Sequence, residues 1–220
     1  MTASDWTFLD SARTTTLSEL FAADGRRVEA LSLGVGGIWF DWSKTHLAAP
    51  VLSGFEHLAA VRKLPVRRDD LFCGRIVNPT EGRAAEHSAE RGEGAAESVQ
   101  RAKAFHGRMR SLIDAIEAGA LGEIRHILHI GIGGSALGPN LLVDALGREA
   151  GRYDVAIVSN VDGSALKEVF DRFDPHKTLL AVASKTFTTT ETMLNAESAL
   201  NWMIASGVDD AQGRVVVFFA

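Results

Sequence analysis

The sequence predicts an α/β fold: a parallel sheet flanked by helices, preceded by a mostly helical N-terminal segment with a small β-hairpin. Three observations carry it. From Gly122 onward, apolar runs of strand length alternate with stretches of helical period. Those runs, at 124–130, 155–159, 178–183 and 215–220, are nearly continuous in apolar or β-branched residues. Strands covered on both faces have that composition, and strand–helix alternation is the grammar of a parallel sheet. Upstream of Ala95 the alternation is missing, so the expected organisation is a helical and hairpin segment over 1–94 and an α/β domain over 95–220.

Taken in order, Thr16-x-x-Glu19 reads as a capping box for a helix carrying Leu17, Leu20 and Phe21, closed by Gly25. Residues 28–33 and 38–42 read as two short strands around Gly34-Val35-Gly36-Gly37. Pro50 opens a helix with Val51, Leu52, Phe55, Leu58 and Ala59 on one face, and Pro65 ends it. Residues 67–91 are polar and turn-rich, with Asn78-Pro79-Thr80-Glu81-Gly82-Arg83 as a structured turn. A helix over 95–118 follows, with Val99, Ala102, Phe105, Met109, Leu112 and Ile116 as its stripe and Gly119 as its stop. In the α/β part, helices are expected over 139–146 (proline in the first turn), 162–173 and 189–206. The last should bury Met193, Ala196, Leu200 and Met203 or Ile204. The chain stops in Phe218-Phe219-Ala220 with no polar turn. The expectation is therefore a fragment, truncated at its C-terminal end.

Composition excludes several classes. A net charge of −5 with no clustered basic stripe argues against a nucleic-acid surface. Cys73 stands alone, so no intrachain disulfide can form, and a reducing cytoplasm is expected. No apolar run reaches the length of a membrane span. With one cysteine and no histidines at ligand spacing, no metal is expected. None of this argues against one bound phosphate, which needs only a local field.

Ala183-Ser-Lys-Thr-Phe-Thr-Thr-Thr-Glu-Thr192 supplies such a field. Ser184, Thr186, Thr188, Thr189 and Thr190 bring five hydroxyls, and Lys185 one cation, to a strand-to-helix junction. Thr188-x-x-Glu191 reads as the capping box of the next helix. Its first-turn amides have no intrahelical partners and carry the positive end of the helix dipole. Hydroxyls, amides and a lysine converging there suit a phosphate dianion. Against this stands the plain reading of capping residues and a solvated lysine.

A second strand-to-helix loop strengthens the first. His129-Ile-Gly-Ile-Gly-Gly-Ser-Ala-Leu-Gly-Pro139 brings glycine backbone and the Ser135 hydroxyl to a helix start. Gly131-x-Gly133-x-x-Ala136 also satisfies a relaxed dinucleotide fingerprint. That reading wants an acidic residue ending the second strand, where this chain has Ser159-Asn160. His129, between Leu128 and Ile130, reads as a hydrogen-bonded core histidine.

These motifs together resemble the glucose-6-phosphate isomerase family. The matching segments are Asp41-Trp-Ser-Lys44, Asn78-Pro-Thr-Glu-Gly-Arg83 with His87, Gly131-Ile-Gly-Gly-Ser135 with Leu137-Gly-Pro139, Ser159-Asn-Val-Asp-Gly163, and Ser184-Lys-Thr-Phe-Thr-Thr189 with Glu191-Thr192. They run in family order along nearly the whole chain. Ala136 departs from an acidic residue common there, and Ala85-Glu86 from an apolar pair. The resemblance implies sugar-isomerase (SIS-type, three-layer αβα) domains, a homodimer and a sugar phosphate substrate. It implies interconversion of glucose 6-phosphate and fructose 6-phosphate through an enediol, without metal, nucleotide or other cofactor. It carries substrate or phosphate binding to Gly134, Ser135, Ser184, Lys185, Thr186, Thr188 and Thr189. No catalytic residue is assigned: Glu81, His87, His106 and His129 lie in no matching catalytic motif, and the family's proton-transfer groups fall beyond Ala220. The alternative is a non-catalytic sugar-phosphate-binding regulator module of SIS type, against which the hairpin and helices before Ala95 weigh.

Overall fold

The computed structural model describes residues 6–10, 15–80, 82–147 and 151–218. Glu81 of the expected turn, and Phe219 and Ala220 of the expected last strand, lie outside the described residues. Two compact units make up the chain, Met1–Phe105 and His106–Ala220.

The first unit begins with α1 (Thr7–Asp10), α2 (Leu17–Ala23) and α3 (Arg27–Ala30). Thr16 caps α2 as expected: its hydroxyl accepts from the Glu19 amide at 3.3 Å, and the Glu19 carboxylate accepts from the Thr16 amide at 2.9 Å. The hairpin pairs β1 (Ser32–Val35) with β2 (Ile38–Asp41), in antiparallel register Val35↔Ile38. Gly36 and Gly37 both have positive φ, 58° and 79°, as a two-residue turn matched to strand twist requires. The strand expected from Val28 starts later, because residues 27–30 form a helical turn anchored by Arg27. That guanidinium, nearly buried, donates to the carbonyls of Ser43, Thr45 and Leu47 at 2.8, 2.7 and 2.9 Å. It therefore organises the segment leaving the hairpin.

Pro65 does not end structure here. α4 (Ala49–Val61) stops at Arg62, Lys63 takes a left-handed φ of 53°, and α5 (Leu64–Phe72) begins with Pro65 in its first turn. There the missing N–H costs nothing, since first-turn amides have no helical acceptor. Asn78 and Thr80 form the first half of the expected turn, the Asn78 side chain accepting from the Thr80 amide and hydroxyl. A 3-10 turn follows at His87–Arg91, and α6 (Ala96–Glu117) stops at Gly119, whose φ is 77°. Of the expected α6 stripe only Ala102 is buried; Phe105 and Met109 are exposed.

The second unit holds β3 (His126–Ile130), α7 (Gly134–Gly147), β4 (Asp154–Val158), α8 (Gly163–Arg172), β5 (Thr178–Ala183), α9 (Thr190–Ala205) and β6 (Val215–Phe218). All four strands pair in parallel, in the order β4-β3-β5-β6. The chain steps from β3 to β4 in one direction and then returns past β3 to β5. Right-handed crossovers in opposite directions put α7 on one face of the sheet, with α8 and α9 on the other.

Strand periodicity sorts the side chains between those faces. Leu128, Ala156 and Leu180 align across three strands, as do Ile130, Val158 and Val182. All are buried, and they meet Leu166 and Val169 of α8, Phe173 just beyond it, and Ala199 and Met203 of α9 in one core. Each large side chain removed from water there contributes about 1.5–3 kcal/mol before entropy. His129, one residue out of phase, lies on the α7 side between Ile157 and Ala181. On that side Leu137, Leu141, Leu142 and Leu146 of α7 stay exposed.

Two further expectations are corrected. α7 starts five residues before Pro139, which sits inside the helix. The buried face of α9 is Thr192, Asn195, Ala199 and Met203, while Met193 and Ile204 are exposed. Hydropathy alone misplaces that face, because the buried Thr192 and Asn195 are polar.

Candidate functional site

Both candidate loops leave the carboxyl ends of neighbouring strands, β3 and β5, where the order of connection reverses. In open parallel sheets this is where ligands bind.

After β3 the chain turns at Gly133, with φ 58°, into α7. The Ser135 and Ala136 amides donate back to the Ile132 and Gly133 carbonyls at 3.2 and 3.0 Å. Gly134 and Ser135 are thus the first residues of a helix, with Gly134 exposed and Ser135 half-buried. At Gly131 there is no room for a side chain: a Cβ would lie 2.7 Å from the Ser135 carbonyl oxygen. His129 is buried as expected, and its Nε2 lies 2.7 Å from that same oxygen.

After β5 the residues separate by role. Ser184 is buried, and its hydroxyl accepts from the Phe187 amide at 3.1 Å, closing a tight turn. Phe187 has φ 53°, a left-handed conformation that costs a non-glycine residue about 1–2 kcal/mol. Its ring packs on the core beneath the sheet. Thr186 and Thr188 are exposed and share a hydroxyl–hydroxyl bond at 2.6 Å. Lys185 is exposed as well.

The expected capping box is not formed. α9 starts one residue later than Thr188 would place it, so Thr189 is the N-cap and its side chain makes no cap bond. The Thr188 hydroxyl is turned to Thr186 instead. The first α9 hydrogen bond, from the Met193 amide to the Thr189 carbonyl at 3.1 Å, leaves the amides of residues 190–192 at the positive end of the dipole. Gly134 and Ser135 therefore stand at one helix start, and Ser184 to Thr189 lead into another. Of the expected group, Ser184 is buried in shaping its loop, while Lys185, Thr186 and Thr188 face solvent.

The loop after β4 bears on the dinucleotide alternative. Asp162, the acidic residue nearest the end of that strand, caps α8 by accepting from the Ser164 amide at 2.9 Å. That amide bond first, then the Ser164 hydroxyl, holds the Asp162 carboxyl below the usual aspartate range. A capping carboxylate is poorly placed to hold a ribose. The Asn160 carbonyl accepts from the buried Asn195 side chain of α9 at 2.6 Å, which ties this loop to the helix behind the other. Sequence reasoning missed Asn195, although an asparagine on the inward face of a helix is itself a signal of a buried hydrogen bond. Among the described residues, no three His, Cys, Asp or Glu side chains gather into a metal set, and no helix is long and apolar enough to cross a membrane.

The sequence model of the phosphoglucose isomerase family matches residues 41–219. The chain is 60% identical over 215 residues to the glucose-6-phosphate isomerase of Rhizorhabdus wittichii, covering 98% of this chain and 43% of that one. To the enzyme of that name from Zymomonas mobilis it is 57% identical, covering 98% and 42%. A crystal structure of a glucose-6-phosphate isomerase from Chlamydia trachomatis superposes with a TM-score of 0.79 at 24% identity, covering 99% of this chain and 43% of that one, and it supports the fold. This chain thus spans less than half the length of these relatives. Their names are those of an isomerase, which does not favour a regulator module. The chain belongs to the phosphoglucose isomerase family.

Proposed function

We propose that this chain supplies the phosphate-gripping part of an aldose–ketose isomerase interconverting glucose 6-phosphate and fructose 6-phosphate. The observation that carries the reading is the pair of strand-to-helix loops at the carboxyl ends of adjacent strands, at the reversal of strand order. Gly134 and Ser135 meet the ligand from the first loop. Lys185, Thr186, Thr188 and Thr189 meet it from the second, with Ser184 holding that loop in shape. Two helix starts and one lysine provide a positive field in a chain of net charge −5. Hydrogen bonds to an ionised group contribute roughly 1.5–3 kcal/mol each before desolvation, so four or five give useful affinity.

The isomerisation moves a proton between two adjacent carbons. That requires a carboxylate or imidazole within hydrogen-bond reach of both. We assign no residue of this chain to that step and expect the chain by itself to have no turnover. Homodimerisation and a cytoplasmic location belong to the same reading, in which the exposed apolar residues of α7 and the hairpin are surfaces for assembly to cover.

Titration calorimetry with fructose 6-phosphate, inorganic phosphate and NAD tests the proposal. Saturable binding of the sugar phosphate, weaker binding of phosphate and none of NAD is the expected pattern. Saturable NAD binding without sugar phosphate binding would overturn it.

A further inference from the structure

Pro139 lies in the second turn of α7 and has no N–H. In a regular helix residue 139 would donate to the carbonyl four residues earlier, which is that of Ser135. The proline therefore releases the carbonyl of the one residue in this loop that carries a hydroxyl. A released carbonyl in a half-buried turn needs another donor.

His129 supplies it. Strand alternation turns this side chain to the α7 face, opposite the main core, and its Nε2 reaches the Ser135 carbonyl oxygen at 2.7 Å. A carbonyl only accepts, so Nε2 carries the proton, and the partner defines the tautomer. Gly131 closes the other side: the Ser135 carbonyl packs where a Cβ on Gly131 would stand, 2.7 Å away, and Ser135 Cβ would be 3.0 Å from it. Backbone contact and a buried imidazole together leave the Ser135 peptide little freedom to rotate.

We propose that His129 is a positioning residue: by holding the Ser135 carbonyl that Pro139 releases, it fixes the direction in which the Ser135 hydroxyl meets phosphate. The proposal rests on the phosphate-binding reading above. His129 touches no ligand in this account and acts only through Ser135.

The test is a titration of the chain with inorganic phosphate, followed by amide resonances, in wild type, His129→Leu, His129→Gln and the double variant His129→Leu/Pro139→Ala. Leucine removes the donor, glutamine keeps an N–H near the Nε2 position, and alanine at 139 offers the Ser135 carbonyl its helical partner. His129→Leu should bind phosphate roughly tenfold more weakly, the loss expected for one misplaced hydrogen bond to an anion. The glutamine and double variants should recover most of that loss, which a mere loss of packing would not allow. Equal binding by folded His129→Leu overturns the positioning alone, as does failure of both rescues. A wild type that does not respond to phosphate sinks the phosphate reading, and this proposal with it. Long-range proton–nitrogen spectra give a readout that does not depend on how the variants fold: an Nδ1–H tautomer at His129 contradicts the bond outright.

Discussion

The Asn195 side chain donates to the Asn160 carbonyl at 2.6 Å, joining the middle of α9 to the loop beyond β4. Asn195 is 3% exposed, so its side-chain amide cannot exchange this bond for water without the structure opening, whereas Asn160 itself lies in an exposed loop. Asn195→Ala should cost about 0.5–1.5 kcal/mol, the net contribution of one hydrogen bond whose acceptor can turn to water. Amide exchange should rise first at residues 160–162, with β5 still protected. A stability loss under about 0.5 kcal/mol would mean that the bond contributes little.

Arg27 should matter more to the first unit than its place on the exposed side of sequence scales suggests. It gives three hydrogen bonds to the carbonyls of Ser43, Thr45 and Leu47. A lysine ammonium cannot reproduce that fork. Arg27→Lys should destabilise by at least ~2 kcal/mol in urea unfolding, and a near-neutral result would refute the role.

Much of this was legible in the sequence, for identifiable reasons. Residues 178–183 form the expected strand without a shift, because an unbroken apolar and β-branched run has few other solutions. The Thr16–Glu19 box works as read, its two bonds being local. What failed depended on local turns and partners that position rules do not weigh. Position rules make Pro65 a helix stop and Pro139 a first-turn residue, yet one starts a helix and the other sits within one whose freed carbonyl is held by His129. Thr188 satisfied the capping pattern, but Thr186 drew its hydroxyl away, and Phe187 took a left-handed turn that no propensity scale would give it.

Phe187 allows a test of that strain. Phe187→Ala and Phe187→Gly both lose the ring from the core, but only glycine relieves φ 53°. Contrary to the usual ranking, the glycine variant should be the more stable of the two, by about 1 kcal/mol. Alanine equal to or better than glycine would show that the turn is not strained.

The Asp162 cap should make stability depend on pH with a definite sign. Its carboxyl is held low in the folded chain by the Ser164 amide, so its contribution is complete above the unfolded aspartate pKa of about 3.9 and lost as pH falls through the lower folded value. Asp162→Ala should lower the melting temperature at pH 7, and the gap to wild type should narrow below pH 4. A gap that stays constant on acidification would contradict the charged cap.

The central claim is that two loops hold one phosphate. The most direct test is a fructose 6-phosphate titration of the isotopically labelled chain, following the amides of Gly134 and Ser135 beside those of Thr189 and Thr190. The account predicts that both pairs shift along one binding curve and that Thr189→Val weakens it at both, by roughly tenfold for one lost hydroxyl bond. Shifts confined to one loop, or two curves with different midpoints, would contradict it.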